Sequence, residues 1–151
     1  MFTWKITNFG EALRKAKSGK KTRVDSPPFY ACGYKCKLQL NPNGEKTGEH
    51  THLSIYIRIM KGKNDAFLTW PFQKKVHVTL IDQQENANDR KDIVMSFIAH
   101  NNTECFGKPV NDENLGWGYP QFLSHENLLE RRYVVDDTVF FQARIMSSSR
   151  L

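Results

Sequence analysis

Several features common in other protein classes are missing from this sequence. No run of about 18 apolar residues occurs along its 151 positions, so no membrane-spanning helix is predicted. The start, MFTWKI, alternates like a strand and lacks the apolar stretch of a secretory signal peptide. Glycine-rich phosphate loops, internal repeats and low-complexity tracts are also missing. These absences argue against a membrane-spanning protein, a repeat protein and a P-loop enzyme.

Cysteine is scarce. The chain contains three cysteines, Cys32, Cys36 and Cys105, which cannot all pair within one chain. The spacing of the first two is not the C-x-x-C of zinc or redox sites. We therefore predict reduced thiols and a cytoplasmic protein.

No pattern of residues predicts catalysis. Ser124 and His125 are adjacent, so they cannot face each other as nucleophile and base. Cys105 has no neighbouring base, and His50 and His52 lack a third metal ligand. We therefore predict a protein that is not an enzyme and that binds no metal or cofactor.

The composition supports one globular core. Hydrophobic residues make up 39% of the chain and aromatic residues 12%, which is enough apolar surface for one packed core. A length of 151 residues is typical of one domain. We predict a single domain over residues 1–151.

Alternation of apolar and polar residues is the dominant local pattern. In HLSIYIRIM at 52–60, every second residue is leucine or isoleucine, so these four side chains fall on one face of a strand. Turn residues such as NPNG at 41–44 separate the alternating segments. The other predicted strands are Phe2–Ile6, Tyr34–Leu40, Val76–Asp82, Ile93–His100 and Thr138–Ile145.

Only two stretches have helical spacing. The first follows Asn8, a predicted N-cap, and continues to Gly19. The second begins at Ser124 and carries Leu128 and Leu129. Short strands separated by turns, with so little helix, predict an all-β antiparallel sandwich with one or two short helices.

Positive charge is concentrated near the first helix, although the net charge is only +6. Such a cluster could attract anionic lipid headgroups or nucleic acid. We favour a solvated helix end and loop, and we expect no nucleic-acid binding because no aromatic rings interleave with the charges. The candidate anionic-surface contacts are Arg14, Lys15, Lys17, Lys20, Lys21 and Arg23.

Longer motifs recur in a fixed order along the chain. These are WKITNF, SPPFYACGYK at 26–35, THLSIYIRIMKGKNDAFLTWPF at 51–72, TLIDQ at 79–83, FGKPVNDENLGWGYPQF at 106–122 and YVVDDTVFFQARI at 133–145. Together they resemble the C-terminal domain of the tumour-necrosis-factor-receptor-associated factor (TRAF) family, within the MATH superfamily. GWGYPQF and THLSIYIRI are most similar to the fourth and sixth mammalian-type members.

The resemblance implies an eight-stranded antiparallel sandwich and a peptide-binding function. Domains of this family take short extended peptides from receptor tails or signalling adaptors along a sheet edge. In the family a preceding coiled coil joins three copies, and a RING domain further upstream carries any ubiquitin-ligase activity. The resemblance therefore implies a cytoplasmic, homotrimeric adaptor of ubiquitin-dependent and innate immune signalling, recruited to membrane receptors. Since this chain lacks the coiled coil, we expect the excised domain to be monomeric.

The resemblance also implies a peptide groove, with several departures from the family's pattern. Gln39 replaces an arginine that meets an acidic ligand side chain in many members, and Arg58 or Lys37 could supply a relocated positive charge. Gly116 and Gly118 are expected to let a ligand backbone approach closely. The implied groove residues are Gln39, Asn41, Tyr56, Arg58, Phe97, Thr103, Glu104, Cys105, Trp117, Gly118 and Tyr119.

Two alternatives to peptide recognition stay open at this point. The basic segment could attach a trimer to anionic membrane lipids. A MATH domain could also present substrates to a ubiquitin ligase or deubiquitinase. The WPF and GYPQF motifs favour the signalling adaptor over the second alternative.

Overall fold

Two antiparallel β-sheets contain most of the chain in the computed structural model, which describes residues 1–147. The nine strands in this range are β1 (Phe2–Ile6), β2 (Val24–Asp25), β3 (Phe29–Ala31), β4 (Tyr34–Asn41), β5 (His52–Met60), β6 (Lys75–Leu80), β7 (Ile93–Ile98), β8 (Trp117–Ser124) and β9 (Val139–Met146). The α-helices are α1 (Phe9–Lys17), α2 (Thr103–Phe106) and α3 (His125–Leu128), and 3₁₀ turns occur at Lys46–Gly48, Asp65–Phe67 and Ala87–Asp89.

The strands form a four-stranded and a five-stranded sheet. Sheet A has the order β1-β9-β6-β7, and sheet B has the order β2-β4-β5-β8, with β3 also paired to β4. β7 and β8 are therefore edge strands of different sheets, and they lie close together along one side of the sandwich. The predicted all-β antiparallel sandwich is confirmed.

The prediction of eight strands was wrong by one, because the chain before β4 forms two short strands. β2 pairs with β4 around Gln39, and β3 pairs with it around Cys36. Pro27 and Pro28 lie between these strands and have no N–H to donate to the ladder. The two prolines therefore divide what would otherwise be one edge strand.

The core lies between the sheets and follows the predicted alternation. The leucine and three isoleucines of β5 are buried, as are Val76, Val78 and Leu80 of β6. Phe72, Phe106 and Phe141 are the largest fully buried side chains. The inward faces of both sheets thus exclude water along their length, which is the main stabilising contribution in a fold of this kind.

The N-terminal cap of α1 differs from the prediction. Asn8 stands at the N-cap with a φ of 55°, and its side chain makes no capping hydrogen bond. Instead, the Asp137 carboxylate accepts from the Gly10 N–H at 2.7 Å, and the Asp137 carbonyl accepts from the Phe9 N–H at 3.0 Å. A residue remote in sequence therefore satisfies the free N–H groups of the first turn.

The other two helices have local caps. The Ser124 hydroxyl accepts from the Asn127 N–H at 3.0 Å, as the predicted second helix requires. The Asn102 side chain accepts from the Cys105 N–H at 3.2 Å and begins α2, which the sequence did not predict. α2 is too short for a helical period to be visible in the sequence. None of the helices within residues 1–147 is long and apolar enough to cross a membrane.

Candidate functional site

A pocket of about 370 Å³ opens on the outer face of sheet B. Strands β4 and β5 form its floor, and the 3₁₀ turn before β5, helix α2 and the start of β8 form its walls. Its lining residues are Gln39, Glu45, Lys46, Tyr56, Arg58, Asn102, Glu104, Cys105, Leu115, Gly116 and Trp117. We call it the edge pocket because β8 is an edge strand of sheet B.

The edge pocket brings together part of the predicted groove. The predicted residues that line it are Gln39, Tyr56, Arg58, Glu104, Cys105 and Trp117. Lys46, Asn102 and Leu115 line it as well and were not predicted. For Asn102, its ability to cap a short helix was the available sequence signal.

The remaining predicted residues lie around the pocket without lining it. Asn41 is buried, and its side-chain oxygen accepts from the Gln39 amide at 2.7 Å. Phe97 packs its ring against those of Trp117 and Phe106. Thr103 is exposed on α2. These three residues support the pocket walls or lie outside them.

The glycines of β8 allow a close approach within the protein. A Cβ at Gly118 would overlap the carbonyl oxygen of Ile55, and one at Gly116 would lie 3.1 Å from the Cβ of Tyr56. The ladder also shifts register between Leu53 and Ile55. The glycines therefore admit the neighbouring strand β5, whereas the sequence analysis assigned that space to a ligand backbone.

Trp117 contacts both the core and the pocket. Its ring is half-buried against Phe97, Phe106 and His100, with ring centroids 6.2, 6.2 and 4.7 Å away. The same residue lines the edge pocket. The sequence analysis placed this ring in the ligand groove, but it also joins the pocket wall to the hydrophobic core.

Tyr119 bridges the two edge strands. Its hydroxyl donates to the Ser96 carbonyl of β7 at 3.0 Å, and its ring is partly exposed. Because this carbonyl faces β8, the bond occupies one acceptor on the free edge of β7. Tyr119 therefore lies beside the edge pocket, at the side where the two sheets meet.

An ion network fixes Arg58 in the pocket. Its Nε donates to the Gln39 side-chain oxygen at 2.6 Å, and Nη1 donates to the Asn114 carbonyl at 3.0 Å. Nη1 also forms an ion pair with Glu113 at 2.9 Å, and the side chain is only 15% exposed. Its Nη2 has no hydrogen-bond partner within residues 1–147. Arg58 therefore presents one free pair of N–H groups.

Lys37 is committed to the same network. It forms ion pairs with Asp25 at 2.8 Å and with Glu113, and Arg23 also contacts both carboxylates. Burial favours the protonated form of Glu113, but the Lys37, Arg58 and Arg23 cations outweigh it and lower the pKa of this carboxyl. Of the two predicted relocated charges, only Arg58 lines the pocket.

Tyr56 carries a buried hydroxyl without a partner. The residue is 4% exposed, and its Oη makes no hydrogen bond within the described residues. Burial and the nearby Glu45 carboxylate both raise the pKa of this phenol. A buried hydroxyl that loses its water partners costs about 1–3 kcal/mol, so a ligand that supplies a partner would be favoured.

Cys105 is a buried thiol in the pocket wall. Its Sγ lies 3.7 Å from the Gly116 carbonyl oxygen. Burial and the neighbouring Glu104 carboxylate raise the pKa of this thiol. Both effects disfavour the thiolate, which is the reactive form.

The basic segment is only partly free. Arg14 pairs with Glu11, and Arg23 pairs with Asp25 and Glu113. The remaining four cations form no ion pair within the described residues, and they are Lys15, Lys17, Lys20 and Lys21.

The two-sheet antiparallel sandwich with a pocket at an edge strand defines a class of interaction domains. The chain belongs to the MATH domain family, whose model matches residues 1–145. Human TNF receptor-associated factor 2 is 38% identical over 146 residues, which is 95% of this chain and 28% of that protein. Mouse TNF receptor-associated factor 5 is 36% identical over 146 residues, covering 94% of this chain and 26% of that protein.

The structural comparison agrees with the sequence comparisons. The structure of TRAF5 from Notothenia coriiceps superposes with a TM-score of 0.90 at 28% identity, over 99% of this chain and 74% of that chain. Bovine TNF receptor-associated factor 6 is 30% identical over 152 residues, covering 96% of this chain and 27% of that protein. The identity to the sixth member is thus lower than to the second and fifth, which does not support the expected similarity to the fourth and sixth. The chain spans about a quarter to a third of the length of the curated relatives it matches.

Proposed function

We propose that this domain binds short extended segments of receptor tails or signalling adaptors along strand β8. The observation that carries the proposal is the edge pocket, which lies beside a strand that is paired on one side only. An edge strand offers unpaired backbone N–H and C=O groups to an incoming chain. The neighbouring pocket would then hold a ligand side chain and provide specificity.

The charges of the pocket favour a ligand that is not strongly acidic. Arg58 and Lys46 line the pocket together with Glu45 and Glu104, so the four charges balance. Gln39 cannot form the bidentate pair that arginine makes with a carboxylate, and Glu104 would repel one. We infer that a carboxylate is not the main anchor of the ligand, and that polar groups satisfying Arg58 Nη2 and the Tyr56 hydroxyl contribute more.

The setting of the domain in its full protein is also part of the proposal. The names of the relatives record association with a TNF receptor, and by analogy we place this chain in a cytoplasmic adaptor recruited to membrane receptors. A coiled coil outside this chain would join three copies, so that several weak sites act together. Any ubiquitin-ligase activity would belong to another domain, because the one buried thiol of the pocket has a raised pKa.

A random-peptide display screen tests this function directly. We expect selected peptides to share a motif without an obligatory aspartate or glutamate. Arg58→Gln should weaken binding of a selected peptide by about 1–3 kcal/mol, as expected for a residue that anchors an interface. Lys5→Gln, on the other side of the sandwich, is the matched control. Selected peptides that bind the Arg58→Gln domain as tightly as the original would contradict the assignment.

Strand addition has its own test. N-methylation of alternate peptide bonds in a selected peptide removes backbone donors without changing side chains. We expect one methylation register to abolish binding and the other to be tolerated, because only alternate residues face the β8 ladder. Equal effects in both registers would point to side-chain recognition without an added strand.

Membrane attachment is a second candidate, favoured by the four unpaired lysines of the basic segment. It predicts binding to vesicles that contain phosphatidylserine, with a steep loss as salt is raised. Lys20→Gln combined with Lys21→Gln should then reduce binding. Vesicle binding that survives this change would exclude the basic segment as the attachment site.

A further inference from the structure

The outer face of sheet A carries cations and no carboxylate. Its outward positions alternate with the buried core residues along β1, β6, β7 and β9. They are Thr3, Lys5, Lys75, His77, Thr79, Val94, Ser96, Ile98, Phe140, Gln142, Arg144 and Met146. We call this surface the A face. It lies on the opposite side of the sandwich from the edge pocket.

The cations of the A face have no partner inside the protein. Lys5, Lys75 and Arg144 form no ion pair within residues 1–147, although the chain contains 16 aspartates and glutamates. The Nε2 atom of His77 is buried and has no hydrogen-bond partner. The protein thus leaves both its charge and a buried polar atom unsatisfied at this surface.

Strand register places these groups side by side. His77 lies opposite Arg144 on one neighbouring strand and opposite Ser96 on the other. Lys75 is two residues from His77 on the same face of β6. The centre of the A face is therefore a compact cluster of hydrogen-bond donors with positive charge.

Aliphatic side chains flank this cluster. Ile98 and Met146 lie opposite Lys75 on the two neighbouring strands, and Val94 lies opposite Thr79. Val94 and Ile98 are 47% and 55% exposed. Exposed aliphatic residues beside unpaired cations are typical of a surface that a partner covers.

We propose that the A face binds an acidic segment of another protein, with carboxylates over Lys75, His77 and Arg144 and aliphatic side chains over Ile98 and Val94. Only an occupant that carries both acidic and aliphatic groups complements both parts of the surface. A membrane is a poorer match, because the aliphatic groups are flush with the sheet and no exposed aromatic ring stands among the outward positions.

The segment would lie across the sheet, because the free edge of β7 is partly blocked. The Ser96 carbonyl already accepts from the Tyr119 hydroxyl, so a new strand could not pair fully at this point. Side-chain contacts on the A face, with salt-dependent association, would therefore dominate the interaction. The proposal does not depend on peptide binding at the edge pocket.

The test uses a synthetic peptide that alternates glutamate and leucine, a glutamine–leucine counterpart, and vesicles of phosphatidylcholine with phosphatidylserine. Binding is followed by backbone amide chemical shifts and titration. We expect the glutamate peptide to shift amides of β6, β7 and β9. Lys75→Glu combined with Arg144→Glu should weaken its binding at least about tenfold. The matched control, Lys17→Glu combined with Lys20→Glu, makes the same change in net charge and should have less than about a twofold effect.

Several results would overturn the proposal. They are equal binding of the glutamine peptide, equal losses in both charge reversals, shifts confined to the edge pocket or α1, binding to the vesicles alone, and self-association that the A-face reversal abolishes. If the double reversal does not fold, as judged by thermal melting, Lys75→Gln combined with Arg144→Gln replaces it, with a smaller loss expected. Arg58→Gln should leave A-face binding unchanged, so failure of this proposal is distinguishable from failure at the edge pocket.

Discussion

The outer faces of the two sheets use positive charge in opposite ways. On sheet B, Arg23, Lys37 and Arg58 share the carboxylates of Asp25 and Glu113. On sheet A, the cations have no carboxylate within reach among the described residues. The paired cations are held in fixed positions, whereas the unpaired ones keep their charge available to a partner.

Burial explains why the sheet B cations need their carboxylates. The Lys37 and Arg58 side chains lie under neighbouring groups, and a charge removed from water is costly unless it is paired. Burial lowers the pKa of the Lys37 ammonium, but its contacts with Asp25 and Glu113 outweigh this effect and raise that pKa. A buried cation can therefore serve a binding pocket only as part of a network, and its residual donors define what the pocket can bind.

Removal of Glu113 should have the largest effect on this comparison. In Glu113→Gln, three cations lose a shared carboxylate that is 26% exposed, so we expect a loss of about 2 kcal/mol in the free energy of unfolding. Urea unfolding at neutral pH measures it. Glu104→Gln, at an exposed pocket residue without an ion pair, is the control. Equal stabilities of the two variants would show that the network does not stabilise the fold.

Acid should weaken sheet B before it affects sheet A. The Arg23 and Lys37 cations outweigh burial and hold the pKa of Asp25 below its ordinary 3.8, and the pKa of Glu113 is likewise held below 4.5. The unfolded chain therefore takes up protons first, so the stability from these groups is complete above about pH 5 and is lost as the pH falls through the folded-state values. Urea unfolding as a function of pH should fall less steeply for Glu113→Gln than for the original protein. Parallel curves would contradict the assignment.

Replacement of Cys105 should have a smaller effect. A serine hydroxyl in Cys105→Ser can donate to the Gly116 carbonyl that the thiol now faces, so we expect a change below about 1 kcal/mol in stability. Binding of a selected peptide should change little. Mass spectrometry should detect no substrate-dependent adduct on Cys105, and such an adduct would show that the thiol is reactive.

Neutralising the A face should change stability least. Lys75 and Arg144 have no ion pair to lose, so each change to glutamine should alter the free energy of unfolding by less than about 0.5 kcal/mol. Any change should be a gain at low salt, because neighbouring positive charges repel one another. A loss above about 1 kcal/mol would reveal an unrecognised structural role for these residues.

The sequence predicted the strands well where one face of each strand is buried. Phe2–Ile6 was predicted with its observed limits, and the strand predicted over Ile93–His100 ends two residues earlier, at Ile98. Alternation identifies such strands because burial selects every second residue. β2 and β3 were missed because each is too short to show alternation.

Less of the site could be predicted, because it depends on contacts between distant segments. The Glu113 carboxylate joins Lys37 and Arg58, but nothing in the sequence predicts their proximity. The partner of Gly118 is the Ile55 carbonyl of the adjacent strand, which becomes evident only once the register is known. Family resemblance supplied the positions, and the structure supplied their partners.

The pairing of β1 with β9 has a mechanical consequence. The register joins Phe2 to Ala143 and Ile6 to Val139, so the beginning of β1 lies beside the end of β9. A pulling force applied between residues 2 and 146 would load the hydrogen bonds of this pair one after another, because the bonds lie across the strands and both ends are at the same side. The domain should therefore open by peeling β1 from the sheet at low force, and the remainder of the sandwich would be exposed to load only afterwards.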